Sequence, residues 1–369
     1  MTVSLRGRHG RLRRRGPNPR PRLETAIREM TGDEQGIGRV AQPERPHGNT
    51  DARGKAWHWR ASAQGDEPNH YPGFVPVDDV LRRLFDWTAV ELPVYVAVPG
   101  EGDESEYRAL PGRKAIAADD TYEVLGLFKD GYAPHQYREW LLENVSTILD
   151  DDLGISSAGL LRNRAVAWVE VSVPDSITTP EGVAFRPNLL ACTSFDGTVA
   201  TTYKRTITNT VCDNTMGAAL QEDGQQLKAK HTKNSGMKIA DAREALAIVH
   251  TAADDFAAEV ARLCDVTVTD AQWSQFLAGI APDGDSKRSK TMAAEKRSQL
   301  DNLWRFDARV EPWSGSAWGA LQAVNTWGQH IRGTRGATQR AERNAIETID
   351  GSVEAADAEV LKVLAGISG

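Results

Sequence analysis

The sequence predicts an α+β chain in which a central antiparallel β-meander is flanked by helices and followed by a helical C-terminal portion. Three observations support this prediction. A long run of alternating side chains, 158–173, is typical of a half-buried strand. Two more strand candidates, 188–195 and 199–208, are joined by an Asp-Gly dipeptide that suits a tight hairpin, because glycine adopts positive φ easily. Finally, residues 239–263 repeat apolar side chains every three or four positions, which predicts a long helix.

The chain divides into three predicted regions with a linker in the last one. These are a disordered basic arm over 1–55, an α+β core domain over 56–235, and a helical region over 236–369 with a linker near 281–290. The arm is rich in Arg, Pro and Gly and has no periodicity, so it cannot bury enough apolar surface to offset the entropy of ordering. Basic arms of this kind can bind phosphate backbones; the alternatives, which are favoured, are a solvated tail or an extension upstream of a start at Met30.

Charge is distributed unevenly along the chain. Residues 1–22 hold eight arginines and no acid, whereas all 369 residues together carry −7, so the remaining 347 residues carry −15. Because residues 23–369 are this acidic, their surface as a whole cannot attract nucleic acid. Any contact between the body and nucleic acid must therefore use a local basic patch.

The first part of the core domain alternates short helices and strands, with order beginning near Trp57. A proline stands at the start of each helical pattern, which is a favoured position. The predicted elements are a helix over 77–85, a strand over 92–98, an acidic loop over 100–106, a strand over 121–128 and a helix over 134–149.

The predicted strand 158–173 has two different faces. Alanine and valine fill one face, which is the predicted core, whereas Arg162, Arg164 and Trp168 share the opposite face with Glu170. The two arginines are therefore expected to be available to a ligand.

The apolar seam of residues 239–263 requires a partner. Sequence leaves two partners open: a helix over 269–280 that folds back within the chain, or a second subunit. In the second case the chain forms a homo-oligomer through 239–263, which is the expected partner. Beyond the linker, one further helix carries its apolar side chains on a single face, namely Trp318, Leu321, Val324, Trp327 and Ile331.

Several functions are disfavoured by what the sequence lacks. No apolar run approaches the ~18–20 residues of a membrane span, and the basic N-terminus has no secretory apolar core. A cytoplasmic protein without a membrane partner is expected, in the host cytoplasm if the chain is phage-encoded. Three cysteines without a C-x-x-C pair argue against a disulfide scaffold or a structural zinc site. Because no P-loop, dinucleotide, zinc-protease or nucleophile-elbow motif occurs, no cofactor, metal or catalytic residue is predicted.

Two weaker constellations involve histidine. His58 and His70 lack a convincing third and fourth metal ligand, so packing or surface roles are favoured. Cys212 and His231 could act as thiolate and base in an enzyme of unrecognised type, although no third orienting group is evident.

The densest polar constellation is the segment 204–215. A helix capped near 213–214 and running to Leu220 is predicted to follow it, and the N-terminus of a helix offers backbone N–H groups to an anion. The alternative is that these residues only cap turns while the lysines are solvated. The side chains that would face a ligand here and just downstream are Lys204, Arg205, Asn209, Asn214, Lys228, Lys230 and His231.

This segment resembles a known family. Residues 209–216, with Ser-Phe-Asp-Gly-Thr at 194–198 and Lys-His-Thr at 230–232, are similar to the phage/plasmid-like proteins of the DUF nine-three-two class. Members typically show a His-Asp-Gly-Ser stretch, then Arg-Val-Val-Cys-x-Asn-Thr-Leu, then a basic-His pair. In this chain Phe195 replaces the histidine, and residues 206–210 depart from the Arg-Val run.

The resemblance spans roughly 55–365, since the Trp-His pair at 57–58 and the helix 315–330 also match. Members occur in phage and plasmid genomes. The order helix, antiparallel meander, helix is also similar, as a fold-level analogy, to phage single-strand annealing proteins.

The resemblance implies an accessory protein of phage or plasmid recombination or replication that binds single-stranded DNA without covalent chemistry. In the analogous folds a groove between hairpin and helices holds the backbone while aromatic side chains stack bases. Arg162, Arg164 and Trp168 would line this groove together with the basic residues of 204–231. The rival functions are a self-assembling scaffold protein and the enzyme that uses Cys212 and His231.

Overall fold

The structure of the chain is a computed structural model. It describes residues 54–56, 69–100, 105–149, 153–209, 214–217, 226–231, 253–334 and 337–367. Its first strand begins at Gly54, so residues 54 and 55, which the sequence assigned to the disordered arm, belong to this strand. The predicted disorder of 1–53 concerns residues outside the described ranges.

Twelve strands are present in the described ranges. In chain order they are β1 (Gly54–Ala56), β2 (His70–Tyr71), β3 (Ala89–Pro99), β4 (Ser105–Ala118), β5 (Val124–Lys129), β6 (Gly154–Leu161), β7 (Val166–Ser172), β8 (Ile177–Thr178), β9 (Ala184–Ser194), β10 (Thr201–Asn209), β11 (Asn214–Gly217) and β12 (Gln226–Ala229).

Nine of these strands form one sheet in the order β11-β10-β9-β7-β6-β1-β2, with β12 also paired to β10 and β8 to β9. All pairs are antiparallel except β1 with β6. The consecutive pairs β6-β7 and β9-β10 are the predicted meander. The predicted α+β class is therefore confirmed.

The helices lie mainly after the sheet. They are α1 (Val77–Leu84), α2 (residues 253–265), α3 (Asp270–Ile280), α4 (Lys287–Phe306), α5 (Ala317–Thr326), α6 (Ala337–Asp350) and α7 (Ser352–Ile367). The predicted helix over 134–149 is a π-helix, Arg138–Glu143, that continues into the short helix Asn144–Ser146. A second π-helix, Trp327–Ile331, directly follows α5.

The single strand predicted over 158–173 is wrong, because these residues form the hairpin of β6 and β7. The three turn residues Arg162, Asn163 and Arg164 have positive φ angles of 48°, 57° and 74°. Of these three residue types only asparagine readily adopts a positive φ angle, and the turn contains neither glycine nor proline. The alternating pattern therefore runs through the turn without a residue that would mark it. Consequently the arginines occupy a turn rather than a strand face.

The helix predicted near 213–220 is also wrong over its described part. Residues Asn214–Gly217 form β11, which pairs with β10 so that Asn209 lies opposite Asn214. Asparagine and aspartate favour hairpin turns as well as helix caps, so the local sequence fits both structures. Pairing with β10 decides between them.

A separate three-stranded sheet has the order β3-β4-β5. Its middle strand begins at Ser105, so the predicted acidic loop ends earlier than expected. Most of this strand was not predicted, because Pro111, Gly112 and two basic residues interrupt its alternation.

The core has two main clusters. The first lies between the large sheet, α1 and the first π-helix, and it contains the predicted core face of Ala167, Val169 and Val171. The second lies among the C-terminal helices and contains Phe256, Val260 and Leu263 of α2 with Trp273 and Phe276 of α3.

The described half of the apolar seam therefore packs within the chain: its residues share one core with the helix that the sequence offered as a partner, and Phe256 contacts Phe185 and Trp318. Residues 239–252 lie outside the described ranges. The linker predicted over 281–290 is shorter than expected, because Ser286 caps α4 by accepting the N–H of Ser289.

Candidate nucleic-acid interface

Lys204 and Arg205, the centre of the predicted binding constellation, are buried. Lys204 is 3% exposed, and its ammonium group donates to the Thr348 carbonyl and, at 2.7 Å, to Glu354. Arg205 lies 3.9 Å from the carboxylate of Asp255. Both charges face helices that cover the sheet, so the expectation that they line an open groove is corrected.

Arg164 and Trp168 are also core residues. The Arg164 guanidinium lies 3.8 Å from the centroid of the Trp87 ring and donates to both carboxylate oxygens of Asp120 at 3.0 Å. Trp168 donates to the Ser157 hydroxyl at 3.0 Å and packs in a small cluster with residues of α6. Neither side chain has a free face for a nucleotide.

The other predicted residues differ in exposure. Arg162 is partly exposed and donates to the Thr198 hydroxyl at 2.8 Å and to Asp196 at 3.3 Å. Lys230 is exposed. The backbone of Asn209, Asn214 and Lys228 lies on β10, β11 and β12, but their side chains fall outside what the structure describes. Cys212 and His58 lie outside the described residues, so their roles stay predictions.

His231 belongs to a stack of five rings. The rings are Phe128, Tyr132, His231, His135 and Trp140, and successive centroids are 3.7, 5.0, 4.2 and 3.6 Å apart. The stack joins β5, the following turn, the first π-helix and the end of β12. His231 therefore ties the last strand of the sheet to the segment 128–140.

Two threonines connect the histidines through a chain of hydrogen bonds. His135 Nδ1 lies 2.7 Å from Thr201 Oγ1, which lies 2.7 Å from Thr193 Oγ1, and that oxygen lies 3.1 Å from His231 Nε2. Burial lowers the pKa of His135 to about 3 and that of His231 to about 4. Both imidazoles are neutral at pH 7, so His231 brings no positive charge to a phosphate.

This histidine–threonine chain is not arranged for a metal ion. The two imidazole planes are within 17° of parallel, so lone pairs that lie in those planes do not converge on one ion. No group of three or more His, Cys, Asp or Glu side chains that could hold a metal occurs among the described residues.

The chain does bring together two of the segments on which the resemblance rests. Tyr132 donates to the Ser194 carbonyl at 3.1 Å, and Thr193, next to that serine, contacts His231. Phe195 points into the core and stacks on Tyr137 with centroids 4.1 Å apart. At this position the chain places a core aromatic where the resemblance expects a histidine.

A surface that the sequence reading did not identify lies on the C-terminal helices. Residues 287–343 hold eleven Lys and Arg against five Asp and Glu, a net charge of +6 in a chain of −7. We call it the C-terminal basic surface and define it as Lys287, Arg288, Lys290, Lys296, Arg332, Arg340 and Arg343, together with the Trp327 ring that Lys296 contacts. Counting charges along the sequence in a sliding window would have identified this segment, but it would not have shown how the segment folds.

The first half of this surface lies along α4. Arg288, Met292 and Lys296 follow one another four residues apart, which places them on one stripe of the helix. The Lys296 ammonium lies 4.6 Å from the centroid of the Trp327 ring, and the indole N–H donates to Gln299 at 2.7 Å. Lys287, Arg288 and Lys290 are exposed, and no ion pair to them is formed within the described ranges.

The second half lies on the π-helix and α6. Arg343 donates to the carbonyls of Gly328 at 2.7 Å and Arg332 at 3.3 Å, and Arg332 pairs with Glu347. Burial, followed by the charge of Arg332, lowers the pKa of both Lys296 and Arg343. The cations therefore repel one another, and an anion would relieve that repulsion.

A family model matches residues 124–347, more than half of the chain, and its description is Domain of unknown function (DUF932). The chain belongs to the DUF932 family. The matched range includes the histidine–threonine chain and every cation of the C-terminal basic surface, whereas β3 and β4 of this DUF932 member lie outside it. No curated protein and no solved structure matches the chain significantly.

No helix in the described parts of this DUF932 protein combines the length and the apolar character that crossing a membrane requires.

Proposed function

We propose that the chain binds single-stranded nucleic acid through the C-terminal basic surface, without covalent chemistry, as an accessory protein of phage or plasmid recombination or replication. One observation carries the proposal: a segment of net charge +6 in an acidic chain places three exposed cations on the first turn of α4 and the Lys296 ammonium of the same helix over the half-buried ring of Trp327. The residues proposed to contact phosphate therefore lie on α4, the second π-helix and α6, and not on the strands that the sequence favoured.

Phosphate binding is supported by the exposure and spacing of the cations. Lys287, Arg288 and Lys290 extend from the first turn of α4, and Lys296 follows on the same helix. Each cation that neutralises a phosphate releases condensed counterions, which makes such binding salt-dependent. Arg332 already pairs with Glu347 and Arg343 donates to backbone carbonyls, so the exposed cations of α4 supply most of the proposed phosphate contacts.

The preference for a single strand is supported by Trp327. This ring is half-buried, and the Lys296 ammonium lies over it. A base that displaces the ammonium from the ring could stack on the indole while the ammonium meets the neighbouring phosphate. Stacking requires an unpaired, accessible base, which a duplex does not offer.

The test is fluorescence anisotropy of labelled single-stranded DNA, single-stranded RNA and duplex DNA with the full chain at several salt concentrations. The variant replaces Lys287, Arg288 and Lys290 with glutamine. The control makes the same charge change at exposed cations elsewhere, Arg113, Lys129 and Lys362. Both proteins keep the eight arginines of the arm, so the comparison isolates the surface.

We expect the α4 variant to bind single strands more weakly and to lose about 2 from the slope of log K against log salt, at ~0.7 per phosphate contact. The control variant should keep the affinity and slope of the unmodified chain. Equal affinities and slopes in the two variants would remove the C-terminal basic surface as the binding site.

A further inference from the structure

Four basic side chains lie together where α6 packs against the second π-helix. We call them the π-helix cation cluster and define it as Lys296, Arg332, Arg340 and Arg343. The one carboxylate that pairs with the cluster within the described ranges is Glu347, so four positive charges and one negative charge leave +3. All four cations are partly buried, whereas the basic residues at the start of α4 are exposed.

Two of these arginines are held in place by the chain itself. Arg343 donates to the carbonyls of Gly328 at 2.7 Å and Arg332 at 3.3 Å, and Arg332 pairs with Glu347. These bonds fix where the two guanidinium groups lie. A site with fixed donors loses little side-chain freedom when an anion binds.

Arg340 differs from its neighbours, because no described residue accepts a hydrogen bond from it. Its Nε is buried without an acceptor, and so is the Nε of Arg343, one turn further along α6. A buried donor without an acceptor costs free energy. Repulsion among the cations adds to this cost, since Arg332 and Arg340 both act on Arg343. An anion at this place would accept from the donors and reduce the repulsion.

The charge of the cluster favours one kind of phosphate. Guanidinium groups match the oxygens of a phosphate in geometry. An internal phosphodiester carries one negative charge, whereas a terminal phosphomonoester carries about 1.5 to 2 at pH 7. Because charges interact more strongly in a partly buried site than in water, a cluster of +3 discriminates between the two in favour of the phosphomonoester.

The cluster lies beside the ring that is proposed to stack a base. Gly328, whose carbonyl accepts from Arg343, follows Trp327 in the π-helix, and the Lys296 ammonium lies 4.6 Å from the centroid of that ring. A terminal nucleotide stacked on Trp327 would therefore have its phosphate close to the cluster. The exposed cations of α4 would then meet phosphates further along the strand.

We propose that the π-helix cation cluster binds the terminal phosphate of a single strand, a phosphomonoester dianion, in preference to internal phosphodiesters. This inference rests on the proposed function, because it assigns the strand end to one part of the same surface. Free inorganic phosphate offers the same dianion, so the test separates these two sources.

The test compares oligonucleotides of one sequence with an internal fluorescent label, by anisotropy with the full chain. They end in a 5′-phosphate, in a 3′-phosphate, in the methyl ester of the 5′-phosphate, or in hydroxyl groups only. We expect one of the two phosphorylated ends to bind about tenfold more tightly than the hydroxyl ends, as for hydrogen bonds between charged groups. The methyl ester carries the single charge of an internal phosphodiester and should lose most of this gain.

Inorganic phosphate is then added as a competitor. We expect it to remove the gain only at concentrations far above that of the oligonucleotide, because it lacks the base that stacks on Trp327. Competition at the concentration of the oligonucleotide itself would identify free phosphate as the ligand and overturn the assignment of the strand end.

The variant Arg340→Gln tests the site directly. It removes a guanidinium that bonds no described residue, so the chain should stay folded, which a urea titration checks. The tenfold gain should disappear in this variant, and Arg340→Lys, which keeps the charge without the planar fork, should retain part of it. Lys287→Gln is the matched control: it should weaken binding of phosphorylated and hydroxyl ends by the same factor and leave the gain unchanged.

The outcomes separate this inference from the function on which it rests. Equal affinities for phosphorylated and hydroxyl ends, or a gain that survives Arg340→Gln, would overturn the inference while binding of hydroxyl-ended strands through α4 still stood. Absence of binding to every oligonucleotide would contradict the proposed function and the inference together.

Discussion

Two groups of basic residues in this chain differ in what surrounds them. Lys204 and Arg205 lie on a central strand and are buried with their charges directed at Glu354 and Asp255, whereas the basic residues at the start of α4 are exposed. The strand belongs to a sheet that packs on both faces, against α1 on one side and α6 on the other. A helix with one buried face leaves the remaining side chains in solvent. A high density of basic residues in the sequence therefore did not indicate that their charges are available to a ligand.

The largest expected effect is on stability, at Lys204. Lys204→Met leaves the partly buried Glu354 without its partner, so the free energy of unfolding should fall by about 3 kcal/mol in urea titrations. Lys287→Met, at an exposed position, should change it by less than ~0.5 kcal/mol. Adding Glu354→Leu to Lys204→Met should recover most of the loss. A small loss in the single variant would mean that the pair contributes as little as a surface ion pair.

Acid sensitivity is expected from the two histidines of the histidine–threonine chain, which belong to neither group. The lowered pKa values of His135 and His231, about 3 and 4, mean that the unfolded chain binds protons that the folded chain excludes. Their contribution to stability is complete above about pH 6.5 and is lost as the pH falls toward 4. Because His231 is only half-buried, we expect about 2 kcal/mol of loss between pH 6.5 and 5.

Urea titrations at several pH values measure this loss, and His135→Leu should flatten the dependence. If the variant and the unmodified chain respond to acid identically, the histidine–threonine chain is not the source of the acid sensitivity.

The next effect concerns Trp327. Trp327→Leu should weaken binding of single-stranded DNA about tenfold, since stacking on an aromatic ring contributes ~1–3 kcal/mol per base. Trp327→Phe keeps a ring and should retain most of the affinity. Duplex binding should change little in both variants. Parallel loss of duplex and single-strand affinity would indicate that the indole only supports the fold of the π-helix.

The smallest effect is expected at Arg288. Arg288→Gln should reduce single-strand affinity a few-fold and the salt slope by about 0.7, with a change in unfolding free energy below ~0.5 kcal/mol. Anisotropy and urea titration of the same preparation measure both quantities. A large loss of stability would place Arg288 with Lys204 among the structural cations and would remove the contrast between the two groups.

Much of the fold was predictable because its signals are local. The strands 188–195 and 199–208, the helix start before residue 77 and the helix that contains Trp318 and Leu321 all follow from periodicity, and all are confirmed. The single apolar face predicted for that last helix is wrong, because Gln322 and Thr326 are as buried as Leu321. The turn at 162–164 was not predictable, because its positive φ angles occur at arginine and asparagine rather than glycine. The arginine conformation is held by contacts of Arg164 with residues 87 and 120, which are distant in sequence.

The sequence by itself determined the α+β class, the family and the net charge of each segment, because these depend on composition, short motifs and hydrophobic period. Only the tertiary structure decided which cations are available. Lys204, Arg205 and Arg164 are neutralised by carboxylates up to 150 residues away along the chain, whereas the basic residues of α4 keep their exposure. Burial and charge pairing depend on which elements meet across the fold, and no local pattern in the chain encodes that.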